Sequence, residues 1–379
     1  MHALAGLVAV GLILIILVDG FEAMVLPRRV MRPYRPARLF YRSTWTLWRR
    51  ASGLFRTSSR REAFLSGYGP LSLLTLFALW LAGLVVGFGL LHWAIGSASG
   101  GGAAKLPLTT YLYMSGTTLF TIGYGDVMPA TSSGRLLAVI EGGTGLGTLA
   151  VIVGYLPVLY QAFSQRERVI GMFDARAGSP PTAGELVRRM TEAKHLKAAN
   201  GFLREWERWS TELLESHLSF PVLSYYRSQH DNQSWLAALT AILDTCALAL
   251  VGIQGIDKYQ AQLTFAMARH AAVDLALIFW TPPEGPVEDR VDCGKLRELL
   301  AQLAADDCVD CDLDVAVARL TQLRGLYEPF LYGLSRYFKL ALPPMFPTKP
   351  AVDNWQTSAW MKRTPGIGDL SSPEDEHFY

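Results

Sequence analysis

The feature that most constrains this chain is a pair of long apolar segments separated by a short glycine-containing run. The segments occupy residues 71–93 and 135–163, and each is long enough to cross a lipid bilayer as an α-helix. Between them, residues 117–127 read Thr-Thr-Leu-Phe-Thr-Ile-Gly-Tyr-Gly-Asp-Val. Alternating glycines allow backbone angles that residues with a Cβ resist. Such a run can direct its carbonyl oxygens toward one axis, where they can replace the hydration shell of a cation.

The Thr-x-Gly-Tyr-Gly-Asp pattern between two membrane-length helices resembles the selectivity filter of the potassium channel family. The resemblance covers roughly residues 70–163 and implies a homotetramer with four filters around one axis. It also implies that K⁺ is the permeant ion and is bound only at the filter, with no other metal and no cofactor. The alternative is a Gly-rich turn between two ordinary helices. The residues that the resemblance assigns to the filter are Thr121, Ile122, Gly123, Tyr124 and Gly125.

The segment before the filter, residues 108–119, is predicted to form a short helix. Pro107 suits the first turn of a helix, and the segment is too short to span a bilayer, so we predict a re-entrant pore helix. Asp126 matches the aspartate that braces the filter from behind in the resembled family. Its usual partner there is a tryptophan of the pore helix. This chain has Tyr113 in the matching stretch, and Tyr113 can substitute for it.

Glu141 is a carboxylate inside the second apolar segment. Ionisable side chains within a membrane are costly to bury, and they are functional candidates for that reason. We expect Glu141 to lie behind the filter, hydrogen-bonded to the pore helix. Direct binding of the permeant ion by Glu141 is the alternative.

The second apolar segment also contains candidate gate residues. Residues 142–147 include four glycines, although each glycine costs about 1 kcal/mol relative to alanine inside a helix. Close helix packing and hinge bending explain them equally well, and Gly145 matches the gating-hinge glycine of many potassium channels. Pro157 predicts a kink. A constriction beside it could be formed by Leu156, Leu159, Tyr160 or Phe163.

The arginines predict how the chain is oriented. Residues 28–61 contain eleven arginines, and such an excess marks the cytoplasmic side of a membrane. Residues 1–27 are then a transmembrane helix with its N-terminus outside, a signal peptide being the alternative. The arginines also favour contact with anionic lipid headgroups. Alternating aromatic and basic residues at 40–56 predict an amphipathic helix lying in the membrane surface.

The second half of the chain has the character of a helical cytosolic domain. A helix is predicted over 185–218, and apolar helices at 235–256 and 259–280 contain charged residues, so we expect them to form a buried core. The proline-rich, acidic tail is expected to be extended or disordered. The predicted divisions are an N-terminal helix (1–27), a basic segment (28–66), a pore domain (67–165), a helical cytosolic domain (166–345) and a flexible tail (346–379).

All four cysteines lie in this second half, which is consistent with a reducing cytosol. Cys308 and Cys311 form a Cys-x-x-Cys motif in an acidic loop, with Cys293 as a third nearby thiol. Zinc sites usually have a second pair of ligands, so a solvated loop is favoured over a metal site.

These features predict an all-α membrane protein of the cell membrane: a tetrameric K⁺-selective pore with an all-α cytosolic domain that modulates it in response to an unidentified stimulus. No nucleophile–base or metal-triad motif supports an enzyme, and no nucleic-acid partner is expected. One alternative is a poorly selective cation channel with the same fold. Another is a membrane-anchored ligand sensor or enzyme whose pore is secondary.

Overall fold

The part of the chain that the structure describes is predominantly helical. This computed structural model describes residues 2–26, 35–98, 106–178, 180–192, 196–229, 233–251, 253, 255–285, 289–291, 293–305 and 313–347. These ranges contain no β-strand, and Ala98 and Pro129 form an isolated antiparallel bridge. The predicted all-α fold class is confirmed. The chain divides into two compact units, Met1–Leu54 with Gly67–Gln161 and Phe55–Ser66 with Ala162–Tyr379.

The first unit contains the apolar helices. Its helices are α1 (His2–Met24), α2 (Pro36–Ala51), α4 (Tyr68–Ile95), α5 (Leu108–Leu119) and the first part of α6 (Ser132–Ala177), whereas α3 (Ser58–Ser66) belongs to the second unit. By length and composition, three stretches could cross a membrane: His2–Met24, Ser58–Ile95 and Ser132–Phe173.

Small residues let α1 and α4 approach closely. A Cβ on Gly87 would lie 2.7 Å from Cγ1 of Ile13, and one on Gly83 would lie 2.5 Å from Cδ1 of Ile16. Ile13 belongs to a buried cluster with Leu84 of α4. Helices in membranes associate mainly through such close packing, because lipid provides no hydrophobic drive between them.

A buried carboxylate fixes α2 to the helices around it. Asp19 of α1 is 2 % exposed and accepts hydrogen bonds from the Ala37 backbone N–H and from Trp80 Nε1, both at 3.0 Å. Pro36 occupies the first position of α2, where its missing N–H is not needed. The N–H groups in the first turn of a helix have no intrahelical partner. The Asp19 carboxylate therefore supplies the missing acceptor for the Ala37 N–H.

The predicted pore helix is confirmed as a helix with the predicted bounds. Pro107 precedes α5 in an extended conformation, and the helix ends at Leu119. Its 12 residues span about 18 Å at 1.5 Å per residue. A Cβ on Gly89 of α4 would lie 3.1 Å from Cα of Leu112, so the backbones of α4 and α5 are almost in contact.

The helix α6 continues from the first unit into the second. It has 46 residues with Pro157 inside it, and the helix is not interrupted there. A single proline removes one backbone hydrogen bond, which the long flanking stretches of α6 tolerate. The predicted boundary between residues 165 and 166 lies within this helix.

The second unit is built around a buried helix. Its helices are α3, the end of α6, α7 (Ala183–Glu192), α8 (Ala199–Ser219), α9 (Trp235–Leu250), α10 (Lys258–Ile278), α11 (Cys293–Ala305), α12 (Leu313–Gly325) and α13 (Glu328–Phe338). Every residue of α9 is buried. Its Asp244 accepts hydrogen bonds from Tyr327 Oη at 2.6 Å and from the Arg290 guanidinium at 3.0 and 3.1 Å. The prediction that residues 235–256 contain a core helix is confirmed, although the helix ends at Leu250.

Two predictions about the second unit need correction. The single helix predicted over 185–218 is wrong, because α7 ends at Glu192 and a 3₁₀ turn at Leu196–Ala198 precedes α8. The break lets α7 pack on α9 while α8 packs mainly on α10, which one straight helix could not do. The flexible tail does not begin at residue 346, since Phe346 is 6 % exposed. A Cβ on Gly184 of α7 would lie 2.8 Å from its Cε1.

Several predicted features fall on residues outside the described ranges. These are residues 27–34 of the basic segment, the Cys308–Cys311 motif and residues 348–379 of the tail. Within the described residues, no group of three or more His, Cys, Asp or Glu side chains could hold a metal ion.

Candidate functional site

The residues after α5 alternate in backbone handedness. Thr121, Gly123 and Gly125 have φ angles of 56°, 58° and 79°, whereas Ile122 and Tyr124 between them do not have positive φ. A backbone that alternates between positive and negative φ can direct successive carbonyls toward one side, which a regular strand does not do. Thr121 adopts the left-handed conformation without being a glycine, at a cost of roughly 1–2 kcal/mol. Strain of this kind is concentrated at functional sites.

The C-terminal end of α5 holds the beginning of this segment. The backbone N–H groups of Ile122 and Gly123 donate to the Thr117 carbonyl at 2.8 and 3.2 Å, and the Thr121 N–H donates to the Thr118 carbonyl at 3.0 Å. The C-terminal end of a helix carries a partial negative charge of about half an elementary charge. The segment therefore begins where a helix end favours a cation.

A side-chain hydrogen bond ties the far end of the segment to the same helix. Tyr113 of α5 donates from its Oη to Asp126 Oδ2 at 2.9 Å. The two residues that the resemblance paired therefore meet in the structure. Together with the backbone bonds at Thr117 and Thr118, this contact attaches residues 121–126 to α5 at both ends.

Glu141 lies where three helices of the first unit meet. Its side chain is fully buried. Its Oε1 is hydrogen-bonded to Ser115 Oγ of α5, and its Oε2 lies 3.1 Å from His92 Nε2 of α4. The other ring nitrogen of His92 is 2.7 Å from Ser97 Oγ. The contact between Glu141 and α5 is one that the sequence led us to expect.

His92 is a site residue that the sequence analysis missed. It is 0 % exposed and lies at the end of a strongly apolar helix. Polar side chains in such helices are expected to find partners, and that rule could have paired His92 with Glu141. The direct sequence signal is weak, because 49 positions separate the two residues.

Gly145 is in close contact with the end of α5. A Cβ at this position would lie 2.9 Å from the carbonyl carbon of Leu119 and 3.1 Å from its Cα. By contrast, a Cβ on Gly143, Gly147 or Gly154 would meet nothing within 4 Å. Of the two explanations offered for the glycines, close packing accounts for Gly145. Whether α6 also bends there stays a hypothesis.

An exposed apolar stripe follows α6. Its members recur at alternating spacings of three and four residues, with Gly142 completing the series. This is the repeat of helices that pack against one another, and a single chain leaves it uncovered. The exposed residues of the stripe are Val139, Leu146, Leu149, Val153, Leu156 and Tyr160.

The candidate gate residues are divided between the surface and the interior of the chain. Leu156 and Tyr160 are 37 % and 67 % exposed, whereas Leu159 is 3 % exposed. Pro157 lies within the uninterrupted helix. Leu156 and Tyr160 therefore remain candidates for a constriction, and Leu159 is already packed inside the chain.

The part of α6 in the second unit contains a buried arginine. Arg166 is 3 % exposed and donates to the carbonyl oxygens of Leu223 and Tyr226, each at 2.9 Å. It also forms an ion pair with Glu167 at 2.9 Å. The sequence gives no sign of these contacts, because the partners of Arg166 lie more than fifty positions away.

His217 accepts a further hydrogen bond from Arg166. Its Nδ1 lies 2.7 Å from the Leu213 carbonyl, which can only accept, so Nδ1 carries the ring proton. Nε2 is then free to accept from Arg166 Nη1 at 3.3 Å. Burial and the neighbouring Arg166 charge lower the pKa of His217 to about 3, so the ring is neutral.

Comparison with known proteins agrees with a membrane-embedded pore. Residues 73–161 match the family model described as "Ion channel". The chain is also 26 % identical over 262 residues to the "Uncharacterized membrane protein YdjJ" of Bacillus subtilis (strain 168), covering 68 % of this chain and 74 % of that protein. The match is longer than the whole first unit, so it extends into the second unit. No solved structure is significantly similar to the chain.

The chain is thus an all-α membrane protein in which residues 73–161 resemble an ion channel domain. The matched region includes α5, residues 121–126, Glu141 and Gly145. Ion conduction is a non-enzymatic kind of function. The site described above therefore lies within the part of the chain that resembles ion channels.

Proposed function

We propose that this protein is a K⁺-selective channel whose ions pass along the carbonyls of Thr121, Ile122, Gly123, Tyr124 and Gly125. The observation that carries the proposal is the alternation of positive φ at Thr121, Gly123 and Gly125. It follows directly after the short helix α5 and lies inside the region that matches ion channels. Stacked carbonyl oxygens can replace the water shell of K⁺. The adjacent C-terminal end of α5 adds a favourable field for a cation.

The proposed channel is a homotetramer. One filter segment supplies oxygens from a single direction, so a closed ring around an ion requires further copies. Ile122 and Tyr124 are 51 % and 71 % exposed in the single chain, which leaves both available to neighbouring subunits. The apolar stripe of α6 has the spacing of helices that pack against copies of themselves. Four copies is the number that the resemblance implies.

In the proposed orientation the N-terminus is outside and the second unit is cytosolic. The excess of arginine at 28–61 supports this sidedness. Helix α2 exposes Leu39 and Leu47, which are 69 % and 65 % exposed, and it also contains Arg42 and Arg50. A helix of this kind can place its leucines in the lipid boundary while its arginines contact anionic headgroups.

The second unit is proposed to modulate opening. It is continuous with the pore through α6, and Arg166 on that helix is held by backbone carbonyls of the second unit. A movement of these carbonyls would pull on α6.

The test is the reversal potential of the purified full-length protein in planar bilayers with mixed K⁺ and Na⁺. We expect it to follow the K⁺ gradient. Gly123→Ala should abolish the selective current, because φ at Gly123 is 58° and a Cβ resists that conformation. Gly96→Ala is the matched control, since Gly96 has φ 61° and equally open surroundings but lies outside the filter. A reversal potential that ignores the K⁺ gradient would indicate a poorly selective cation channel instead.

A further inference from the structure

Helix α10 has an apolar face on the side that points away from the core of the second unit. Its inner side packs on α8, α9 and α13, and there Ala261, Ala268 and Leu275 are 0 % exposed. The outer side of such a helix normally carries polar residues. In α10 it is mostly apolar, and near its two ends Tyr259 is 67 % and Leu277 is 62 % exposed.

The residues of this outer face follow a heptad repeat. They are separated alternately by four and three positions, which is the spacing by which two helices bury a common seam. The middle of the series is occupied by His270, whose side chain is 61 % exposed. A polar residue at one position of such a seam favours a single register of the paired helices. The seam consists of Tyr259, Leu263, Ala266, His270, Val273 and Leu277.

A strained residue extends the exposed surface just beyond the end of α10. Trp280 has a φ angle of 54° without being a glycine, and its side chain is exposed. The Thr281 N–H donates to the Ala276 carbonyl at 3.0 Å, as in a helix end where glycine is the usual residue. Residues held in such a conformation cluster at functional surfaces. The outer face of α10 and Trp280 therefore have the features of a binding surface.

The charges beside the seam select a second copy of the same helix as the partner. Arg269 precedes one seam residue and Asp274 follows another, so the two side chains lie on opposite flanks of the seam. In a parallel pair of identical helices, Arg269 comes beside the partner's Asp274, and these flanking positions form the ion pairs between helices. In an antiparallel pair, Arg269 would come beside the partner's Arg269, and like charges would meet.

Both charged residues can form this ion pair while keeping their contacts within the chain. Arg269 Nε donates to the Leu326 carbonyl at 2.9 Å, which uses one of the five N–H donors of the guanidinium. Asp274 Oδ2 lies 3.7 Å from His270 Nε2, and a carboxylate accepts several hydrogen bonds at once. Pairing with a second copy therefore does not require either contact to break.

We propose that α10 packs in parallel against α10 of a second copy of this chain, through the seam at residues 259–277 and through ion pairs between Arg269 and the partner's Asp274. This contact is additional to those that the filter and the stripe of α6 provide in the proposed tetramer. Parallel packing suits copies that are related by rotation about one axis. The pairing of α10 does not depend on whether the protein conducts ions.

The first test is disulfide cross-linking of the full-length protein in membrane vesicles, with a single cysteine at position 263 or 277. At 1.5 Å per residue these positions are about 21 Å apart along the helix, so an antiparallel pair cannot bring both beside their own copies. We expect Leu263→Cys and Leu277→Cys each to form a cross-linked dimer on mild oxidation. In all variants Cys246 is kept because it is buried, and serine replaces Cys293, Cys308 and Cys311.

Val315→Cys is the matched control, because Val315 is an exposed apolar residue of α12, outside the seam. Its cross-linking should stay at the level of the background protein. Cross-linking at one or neither of the seam positions, or equal cross-linking at all three positions, would overturn the parallel pair. So would a seam that cross-links only after the residues beyond 347 are removed, since the tail of the same chain would then be its occupant.

The second test reverses the charges beside the seam. Arg269→Glu should remove most of the cross-linked product of Leu277→Cys, because two acidic residues then meet in the parallel pair. Adding Asp274→Arg should restore the product, since the opposite charges are then only exchanged. The double variant also lacks the contact between Arg269 and Leu326, so restoration cannot be attributed to that contact. A double variant that stays without the product would refute the proposed pair.

Potassium currents from the same vesicles keep this proposal apart from the channel proposal. Cross-linking at both seam positions without K⁺ selectivity would support the pairing of α10 and refute only the channel. A K⁺-selective current without cross-linking at the seam would refute only the pairing of α10.

Discussion

The backbone of Leu119 lies so close to Gly145 that a Cβ at Gly145 would be 2.9 Å from the Leu119 carbonyl carbon. Leu119 is the last residue of α5, two positions before Thr121, the first residue of the proposed filter. A side chain at Gly145 would therefore push against the end of α5, to which the proposed filter is attached. This contact connects a glycine of α6 directly to the position of Thr121.

We expect Gly145→Ala to lower K⁺ selectivity and to destabilise the assembled channel. Overpacking a closely packed site costs about 1–3 kcal/mol, and here the displaced group is backbone. Gly143→Ala is the control, because a Cβ there meets nothing within 4 Å and alanine favours a helix by about 1 kcal/mol. Thermal unfolding and permeability ratios of both variants provide the measurement. If both variants keep their selectivity and change only open probability, hinge bending is the better explanation of Gly145.

Tyr113→Phe should weaken the attachment of the filter to α5. The variant removes only the hydroxyl that donates to Asp126 at 2.9 Å. Because Tyr113 is 42 % exposed, solvent screening keeps the expected loss of stability small. A double-mutant cycle with Asp126→Asn isolates the pair, with the lifetime of the conducting state as its readout. Additive effects of the two substitutions would show that the contact does not stabilise the filter.

The parts of this site that the sequence predicted are those that depend on local patterns. The bounds of α5 follow from Pro107 and from the length of the segment, and the pairing of Tyr113 with Asp126 follows from the family pattern. The role of Gly145 could not be decided, because sequence spacing gives no distance between α6 and α5. His92 was missed because its partner Glu141 is 49 positions away.

The second unit illustrates the same limit. The apolar composition of α9 predicted a buried helix, and its charged Asp244 correctly argued against a membrane span. Helical periodicity continues across residues 193–195, so it could not reveal that α7 and α8 pack on different neighbours. The contacts of Arg166 were also out of reach, since they depend on how α6 meets residues 223 and 226.

Arg166→Ala should separate pore opening from the second unit. The substitution removes the side-chain donor of the Leu223 and Tyr226 carbonyls. The Leu223 carbonyl keeps the Tyr226 N–H, whereas a buried carbonyl that is left unpaired costs about 1–3 kcal/mol. We expect altered open probability in single-channel records with K⁺ selectivity unchanged. Arg168→Ala is the control, because Arg168 is exposed on the next part of the same helix. Equal gating changes in both variants would indicate a general effect of charge.

The stability of the second unit should fall as the pH is lowered from about 6.5 toward 3. The pKa of His217 is about 3 in the folded protein, against 6.5 as its ordinary value. Between these values the unfolded chain binds a proton that the folded chain does not, so the free energy of unfolding decreases as pH falls. The limiting slope is about 1.4 kcal/mol per pH unit.

His217→Asn should flatten this pH dependence while retaining an N–H for the Leu213 carbonyl. His270→Asn is the matched control, since the side chain of His270 is 61 % exposed. The measurement is tryptophan-monitored thermal unfolding of the full-length protein in detergent across this pH range. An unchanged slope in His217→Asn would assign the acid sensitivity to other groups.

Leu156→Asn and Tyr160→Asn should raise the basal current. Both residues belong to the exposed stripe of α6, which faces other subunits in the proposed tetramer. An apolar constriction can block ions by excluding water, so a polar side chain in the stripe should hydrate it. Val158→Asn is the control, because Val158 is also exposed, at 48 %. It lies two positions from Leu156 and from Tyr160, and therefore on another face of the helix. Single-channel recording compares open probability in the three variants. If Val158→Asn raises the current as much as the stripe variants do, polarity anywhere on α6 suffices, and the gate is then to be sought at the filter.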